Sequence, residues 1–259
     1  MNTKYVTALL TLTAATLTSA SAATLGLNNS TAGSLADGWG GGDNTNVTGS
    51  PFGAWSVSDT GGFAGFFIGD SKSLNGGAGG DVNVSGSSFG IYGNNGDRAD
   101  AILTLDSPLI VGQALSFDIA VNFRDGAKGV DIRDGSDAAI FNFNVGSAGS
   151  GDDYIVNFVT TGGGSIGNDY DSNSVFNITL AQTSAGGGNW TIDRSGGVTD
   201  SDSGTYTGVV NSLKLYNVSG TGGDENNLYA NSFTVVPEPS TAGLLGLGAG
   251  TLILRRRRE

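Results

Sequence analysis

Apolar and polar residues alternate with a period of two along much of the chain, a pattern typical of β-strands with one buried face. The segment 114–123, ALSFDIAVNF, shows it most clearly, and the segments 139–146 and 175–182 repeat it. The side chains predicted to face inward are Leu115, Phe117, Ile119, Val121, Phe123, Phe141, Phe143, Val145, Phe176, Ile178 and Leu180. Since no stretch between the termini has a clear helical period, the pattern predicts an all-β domain.

Further short runs rich in β-branched and aromatic residues bring the predicted strands to about eleven. Clusters of Gly, Asn and Asp separate them and predict tight turns. These runs lie at 53–59, 62–70, 89–93, 100–106, 154–160, 189–195, 211–218 and 227–236. We expect two packed antiparallel sheets, a β-sandwich of jelly-roll type, with a barrel as the alternative.

The first 22 residues have the composition of a secretory signal peptide. Lys4 precedes a mostly apolar, threonine-rich run at 5–17, and small residues follow it. Ala20 and Ala22 give the small-x-small pattern that signal peptidase accepts, so we expect cleavage after Ala22. Residues 23–50 are the least patterned part of the remaining chain and are interpreted as a flexible lead-in or a first strand region, before a sandwich domain at 51–236.

The C-terminal segment 237–259 combines a short motif, an apolar run and a basic cluster. As a helix, the apolar run at 241–254 would span roughly 21 Å, which is short of the ~30 Å hydrocarbon core of a membrane. The arginines after it favour the cytoplasmic side. The motif is Pro237, Glu238 and Pro239, and the basic cluster is Arg255, Arg256, Arg257 and Arg258.

Composition narrows the possible chemistry. The chain has 24 acidic and 12 basic residues, and a net charge of −12 repels nucleic acids and anionic lipids. It has no Cys and no His, which excludes disulfides, thiol nucleophiles and every Ser-His or Cys-His catalytic arrangement. Hydrophobic residues at 38% argue against a disordered domain, although Gly contributes 45 residues.

The C-terminal segment resembles the PEP-CTERM sorting signal of exopolysaccharide-producing Gram-negative bacteria. The resemblance implies that a membrane-embedded exosortase recognises Pro237, Glu238 and Pro239 and removes the tail near them. The apolar run would then be a transient transmembrane helix, and the arginines a cytoplasmic stop. An ordinary C-terminal membrane anchor is the alternative, although an anchor would not require the Pro-Glu-Pro motif. We therefore expect export by way of signal peptidase, and a final location in the cell envelope, on the cell surface or in the extracellular matrix.

The segments 89–123 and 210–235 are similar to bacterial modules of the concanavalin-A-like lectin and glucanase superfamily. That resemblance implies a jelly-roll sandwich associated with carbohydrate. Glycosidases of this superfamily carry paired acids on one strand, because hydrolysis needs an acid and a nucleophile at a fixed separation. Between the two terminal signals this chain has one glutamate, Glu225, and no strand with such a pair of acids. We therefore expect a non-catalytic module.

Two loops and three aromatic residues are candidate binding groups. Alternating or grouped oxygen ligands suit calcium, although acidic loops are more often solvated turns. The loop candidates are Asp169, Asp171 and Asn173, or Asp224, Glu225 and Asn226. If exposed, aromatic side chains would stack on sugar rings, although aromatics on strands more often lie in the core. The aromatic candidates are Trp55, Tyr92 and Trp190.

The expected function is that of an exported structural or polysaccharide-associated module of a biofilm matrix. Its partners would be signal peptidase and exosortase during export and extracellular polysaccharide afterwards, and it would contact the membrane only through the C-terminal segment. A protein-binding adhesin or scaffold is the alternative, and a glycoside hydrolase comes third.

Overall fold

The structure, a computed structural model, describes residues 23–25, 39, 50–147, 154–166, 170–218 and 223–237. The described chain forms two antiparallel β-sheets, and their buried faces share one hydrophobic core, which confirms the predicted sandwich. The strands are β1 (Ala23–Leu25), β2 (Phe52–Asp59), β3 (Ala64–Gly69), β4 (Ser88–Gly93), β5 (Arg98–Leu105), β6 (Gln113–Val121), β7 (Ala127–Arg133), β8 (Ala139–Asn144), β9 (Tyr154–Asn157), β10 (Gly164–Ile166), β11 (Ser174–Ser184), β12 (Gly187–Ser195), β13 (Asp200–Thr207), β14 (Ser212–Val218) and β15 (Leu228–Pro237).

The chain passes several times between the two sheets, so strands that are consecutive in sequence often belong to different sheets. The first sheet has the order β13-β12-β11-β6-β15-β4-β3, with β1 also paired to β15, and the second has the order β10-β9-β8-β7-β14-β5-β2. Strand β15 is central in the first sheet, because β6 pairs with one of its edges and β4 and β1 pair with the other. The last strand of the domain is therefore held on both sides.

Alternating side chains of both sheets fill the space between them. Phe117 stacks on Phe233 with 5.7 Å between ring centroids, and Trp55 meets Phe233 edge-on at 5.5 Å. All but one of the side chains predicted to face inward are buried, which confirms the period-two interpretation. Phe123 is the exception: β6 ends at Val121, so Phe123 lies in the following loop and is 46% exposed.

Three strands were not predicted, β7, β10 and β13, whereas β1 lies in the segment interpreted as a lead-in or a first strand region. Strand β7 begins inside a Gly- and Asp-containing segment that is typical of a turn. Strand β13, DSDSGTYT, buries only Tyr206.

The described helices are one α-helical turn, α1 (Leu74–Gly77), and one 3-10 turn at Asp224–Asn226. None of the helices in the described ranges is long and apolar enough to cross a membrane.

Of the predicted lead-in at 23–50, the structure describes β1, Trp39 and Ser50. Strand β1 pairs with Phe233–Val235 of β15, and Trp39 packs in the core against Trp55 at a centroid distance of 4.9 Å. The predicted signal peptide at 1–22 and the predicted sorting helix lie outside the described residues. The domain boundaries stay predictions.

Candidate functional site

A cavity of about 550 Å³ opens on the outer face of the first sheet, where β3, β4 and β15 lie side by side. Three outward-facing aromatic residues, Phe67 of β3, Tyr92 of β4 and Tyr229 of β15, contribute to its wall. Their ring centroids are 6.2 Å apart for Phe67 and Tyr92, and 5.7 Å apart for Phe67 and Tyr229. We call this space the β3–β4–β15 cavity.

Strand alternation places these rings outside the core. Leu228 and Ala230 point into the sandwich, and Tyr229 between them points to the opposite face. Phe66 packs against the main core in the same way. Phe67 packs instead against a separate cluster on the outer face, formed by Val82, Ala120 and Tyr229. A period-two pattern therefore puts aromatic surface on the solvent side of three neighbouring strands.

Two glycines let the Phe67 and Tyr92 rings lie across the neighbouring strand. In the register of β3 and β4, Gly65 is opposite Tyr92 and Gly90 is opposite Phe67. A Cβ atom on Gly65 would come within 2.7 Å of the Tyr92 hydroxyl oxygen, and one on Gly90 would overlap the Phe67 ring. Each ring thus covers a bare stretch of backbone, an arrangement that favours a fixed aromatic platform.

Polar groups complete the wall of the cavity. Asp70 and Ser73 come from the segment after β3, Asn94 from the turn after β4, and Asp224 and Asn227 from the 3-10 turn and the residue after it. The Asp70 carboxylate is held in place, since its Oδ1 accepts hydrogen bonds from the backbone N–H of residue 72 at 2.9 Å and from the amide of residue 83 at 2.6 Å.

The pKa of the Tyr229 hydroxyl is affected by several of the groups that line the cavity. Burial raises the pKa of the Tyr229 hydroxyl, a hydrogen bond with Asn227 lowers it, and the charges of Asp224 and Asp70 raise it again. Both carboxylates therefore act on the same hydroxyl, although they come from distant parts of the chain.

Buried side chains donate hydrogen bonds to the 3-10 turn and hold it against the interior. The backbone carbonyl oxygen of Asn226 accepts a hydrogen bond from Lys128 Nζ at 2.6 Å and another from Asn217 Nδ2 at 2.9 Å. Lys128 is fully buried, and burial lowers the pKa of its ammonium group to about 7, with nearby Arg124 lowering it further and Asp125 opposing the shift. The loop that carries Asp224 is thus tied to the interior.

A second, smaller cavity of about 160 Å³ lies beyond the end of β6 and includes Phe123 and Tyr170 in its lining. Nearby, the guanidinium groups of Arg124 and Arg194 lie 4.6 Å and 4.9 Å from the centre of the Tyr154 ring. Both arginines are buried, and Arg124 donates to the backbone carbonyl oxygens of residues 145 and 146. These contacts hold loops together and indicate a structural role.

On the outer face of the second sheet, charged residues form ion pairs with one another. Asp131 lies 2.9 Å from Lys214 and 3.4 Å from Arg133, and it also accepts a hydrogen bond from Asn142. Asn142 donates to the Tyr216 hydroxyl as well, and burial raises the pKa of Tyr216 to about 12. Because its members satisfy one another, this cluster is a weaker candidate than the β3–β4–β15 cavity.

Of the three aromatic residues predicted as sugar-stacking candidates, two lie in the core and one lines the cavity. Trp55 and Trp190 are 2% and 0% exposed, so the interpretation of these two as sugar-stacking residues is wrong. Their strands alternate with both rings on the inner face, where Trp190 packs against Phe141 at 5.7 Å. Tyr92 is half-buried on the outer face and belongs to the cavity.

The first predicted calcium loop lies close to a buried cation. Asp169 falls outside the described residues, and Asp171 forms an ion pair with Arg194 at 3.5 Å. The backbone carbonyl of Asn173 packs against Gly196. The Asp171 carboxylate thus already has a positively charged partner.

The second predicted calcium loop is divided between surface and interior. Asp224 and Glu225 are exposed, whereas Asn226 is buried and its carbonyl oxygen binds Lys128. Among the described residues, no three acidic side chains converge as metal ligands. Calcium binding at either loop stays a prediction.

The sorting residues lie at or beyond the end of the described chain. Pro237 is the last residue of β15. The remaining predicted residues of the two terminal signals lie outside the described residues: Ala20, Ala22, Glu238, Pro239, Arg255, Arg256, Arg257 and Arg258.

Comparison with known families identifies the C-terminal segment. Residues 235–258 match the family described as the PEP-CTERM protein-sorting motif. The motif implies an exported protein that exosortase processes and that passes through the membrane by its C-terminus. No curated protein matches the chain.

Among solved structures, the botulinum neurotoxin type G receptor binding domain has 9% identity and a TM-score of 0.38, and the match covers 71% of this chain and 43% of that one. The Emp47p carbohydrate recognition domain has 10% identity and a TM-score of 0.35, covering 67% of this chain and 88% of that one. The enzymatically active domain of bacteriophage CBA120 tailspike protein 4 has 13% identity and a TM-score of 0.32, and the match covers 71% of this chain and 19% of that one. The chain thus spans less than half the length of the neurotoxin domain, and likenesses of this size add nothing about binding or catalysis.

Proposed function

We propose that the protein is an exosortase-processed surface or matrix component whose β-sandwich binds polysaccharide without cleaving it. The supporting observation is the aromatic platform of Phe67 and Tyr92, set over glycines and bordered by carboxylate and amide side chains. The apolar faces of sugar rings stack on aromatic rings, and their hydroxyls bond to carboxylates and amides. The sorting motif supports a location outside the cytoplasm.

A binding role fits the carboxylates of the cavity better than a hydrolytic one. Asp70 accepts its bonds at Oδ1 from backbone and amide N–H groups of its own segment, which makes it part of the loop structure. Hydrolysis of a glycosidic bond needs one carboxyl group that donates a proton and a second that acts as a nucleophile or base. Asp224, the other carboxylate of the cavity wall, is exposed to solvent.

A protein-binding scaffold is the second candidate function. Ile110 and Val111 stand side by side in the β5–β6 loop and are 65% and 57% exposed, and Phe158 is also exposed. Strand β13 is the last strand at one end of the first sheet, and in the described chain an isolated bridge between Thr161 and Thr205 pairs part of its outer edge. Strands at the ends of sheets accept strands from other chains where they lack a partner.

Affinity electrophoresis of the exported protein in gels containing the producer's own polysaccharide tests the proposal. Tyr92→Ala and Phe67→Ala remove the platform, and each is expected to weaken binding about 30-fold, the equivalent of roughly 2 kcal/mol for a stacking aromatic. Phe158→Ala is the matched control, because it removes an exposed aromatic ring outside the cavity. Unchanged binding by both platform variants would exclude this site, and no retardation of the wild type would favour the scaffold.

A further inference from the structure

We propose that the β3–β4–β15 cavity selects glycans that carry positively charged amino groups, such as polymers with free hexosamine amines. This inference rests on the proposed polysaccharide binding and specifies the class of sugar. It follows from the charge of the cavity wall, from the arrangement of its rings and from the charge of the whole chain.

The ionisable groups of the wall other than tyrosine are acidic. Asp70 and Asp224 reach the cavity from two different segments, and none of the described residues that line it is basic. The nearest lysine in sequence, Lys72, is drawn away into an ion pair with Asp81 at 3.4 Å. A ligand in this space therefore meets two carboxylates and no cation to offset them.

The rings are arranged around the space rather than along one plane. Phe67 is inclined by 47° to Tyr92 and by 89° to Tyr229. A neutral sugar ring stacks on one flat face at a time, whereas a compact ammonium group is attracted to each aromatic face that it approaches. Aromatic walls combined with carboxylates are the chemistry that recognises alkylammonium ions, so a protonated amine gains from both parts of the wall.

The carboxylates are positioned before any ligand arrives. Three hydrogen bonds fix Oδ1 of Asp70, from the backbone N–H groups of Lys72 and Ser73 and from Nδ2 of Asn83. Asp224 begins the 3-10 turn that Lys128 ties to the interior through the neighbouring carbonyl of Asn226. A ligand that binds prearranged acceptors loses little free energy to their ordering.

The charge of the whole chain acts in the same direction. A net charge of −12 attracts polycations and repels uronate-rich or sulfated polymers. The same field that excludes nucleic acids therefore also excludes anionic polysaccharides. Among polysaccharides, one with free amines has the complementary charge.

Isothermal titration calorimetry of the exported protein with four oligosaccharides of equal length tests the inference. The probes are a glucosamine oligomer with free amines, its fully N-acetylated form, a neutral β-glucan oligomer and an oligouronate, in buffer acidic enough to protonate the amines. We expect the free-amine oligomer to bind about tenfold more tightly than the N-acetylated one, which is the size of effect that one partly exposed charge pair and a cation–π contact produce together. This preference should shrink between about 0.01 M and about 0.1 M salt, as the Debye length falls from about 30 Å to about 10 Å.

Variants assign the preference to the cavity. Asp224→Asn should lower affinity for the free-amine oligomer about threefold and leave affinity for the N-acetylated oligomer unchanged, because an exposed charge pair contributes only part of the tenfold preference. Asp193→Asn is the matched control, since Asp193 is an exposed acid on the same sheet and does not line the cavity. Tyr92→Ala should weaken the binding of both oligomers, because it removes the shared aromatic surface.

The outcomes separate this inference from the proposed function. If the free-amine, N-acetylated and neutral oligomers bind equally well, or if Asp224→Asn has no effect, the charge selectivity is wrong while polysaccharide binding stands. Tightest binding of the oligouronate also overturns the inference. If none of the four binds, and the producer's own polysaccharide does not bind either, the proposed function itself fails.

Discussion

The buried lysine beneath the 3-10 turn gives a prediction about stability and pH. Lys128 is fully buried, and its Nζ donates to the carbonyl oxygens of Phe123 at 3.1 Å and Asn226 at 2.6 Å. Burial lowers the pKa of its ammonium group from 10.5 to about 7. Replacement by methionine, Lys128→Met, keeps most of the side-chain volume and removes the titrating group.

The direction and size of the effect follow from proton linkage. Between about pH 7 and 10.5 the unfolded chain binds a proton at this lysine that the folded chain does not bind, so the free energy of unfolding rises with pH across this window. The full difference is about 5 kcal/mol at 1.4 kcal/mol per pKa unit, and about 2 kcal/mol of it is gained between pH 7 and 9. Below pH 7 both states are protonated, and the destabilisation is at its largest.

Urea unfolding at a series of pH values measures this dependence. The chain has no His and no Cys, so Lys128 is the one described side chain whose charge is expected to change between pH 6 and 9. The wild type should gain about 2 kcal/mol from pH 7 to pH 9, whereas Lys128→Met should stay flat. Equal slopes for the two proteins would refute the buried ammonium as the origin, and a wild type whose stability falls with pH would refute the sign.

Three further predictions follow from the core, the platform and the tail. Gly90→Ala should push the Phe67 ring off the sheet and weaken glycan binding in the affinity gel, whereas Gly135→Ala, with open space at its Cβ position, should leave binding unchanged. Trp190→Ala should lower the free energy of unfolding in urea by about 3–5 kcal/mol, because the side chain is fully buried. Mass spectrometry of the exported protein should find the C-terminal arginines removed, and an intact RRRRE terminus on released protein would contradict exosortase processing.

The alternation of apolar and polar residues was sufficient to predict the class of fold. In β6, β8 and β11 the apolar member of each pair is buried, because one face of each strand packs on the core and the other faces water. The same rule failed for β13, an edge strand that buries little and therefore needs few apolar residues. It also misled at Phe123, since a pattern does not show where a strand ends.

The cavity was only partly predictable. Tyr92 was singled out as an aromatic residue, and the outward positions of Phe67 and Tyr229 follow from their alternation with buried neighbours. Their meeting with Asp70 and Asp224 depends on pairing between β4 and β15, which are far apart in sequence. The fit of each ring over a glycine depends on the register of β3 and β4. Neither pairing nor register is encoded in local composition.

Strand β15 connects the cavity to the sorting motif. Residues 235–237 belong both to this strand and to the matched motif, and they pair with β6 up to Gln113. Tyr229 lies eight residues before Pro237 on the same strand, a distance of about 27 Å at 3.4 Å per residue. A domain attached through its C-terminus therefore holds the cavity at the end of β15 that is away from the attachment point. Because neighbouring strands are hydrogen-bonded to both edges of β15, the sheet would share a load between the proposed polymer and a C-terminal attachment point.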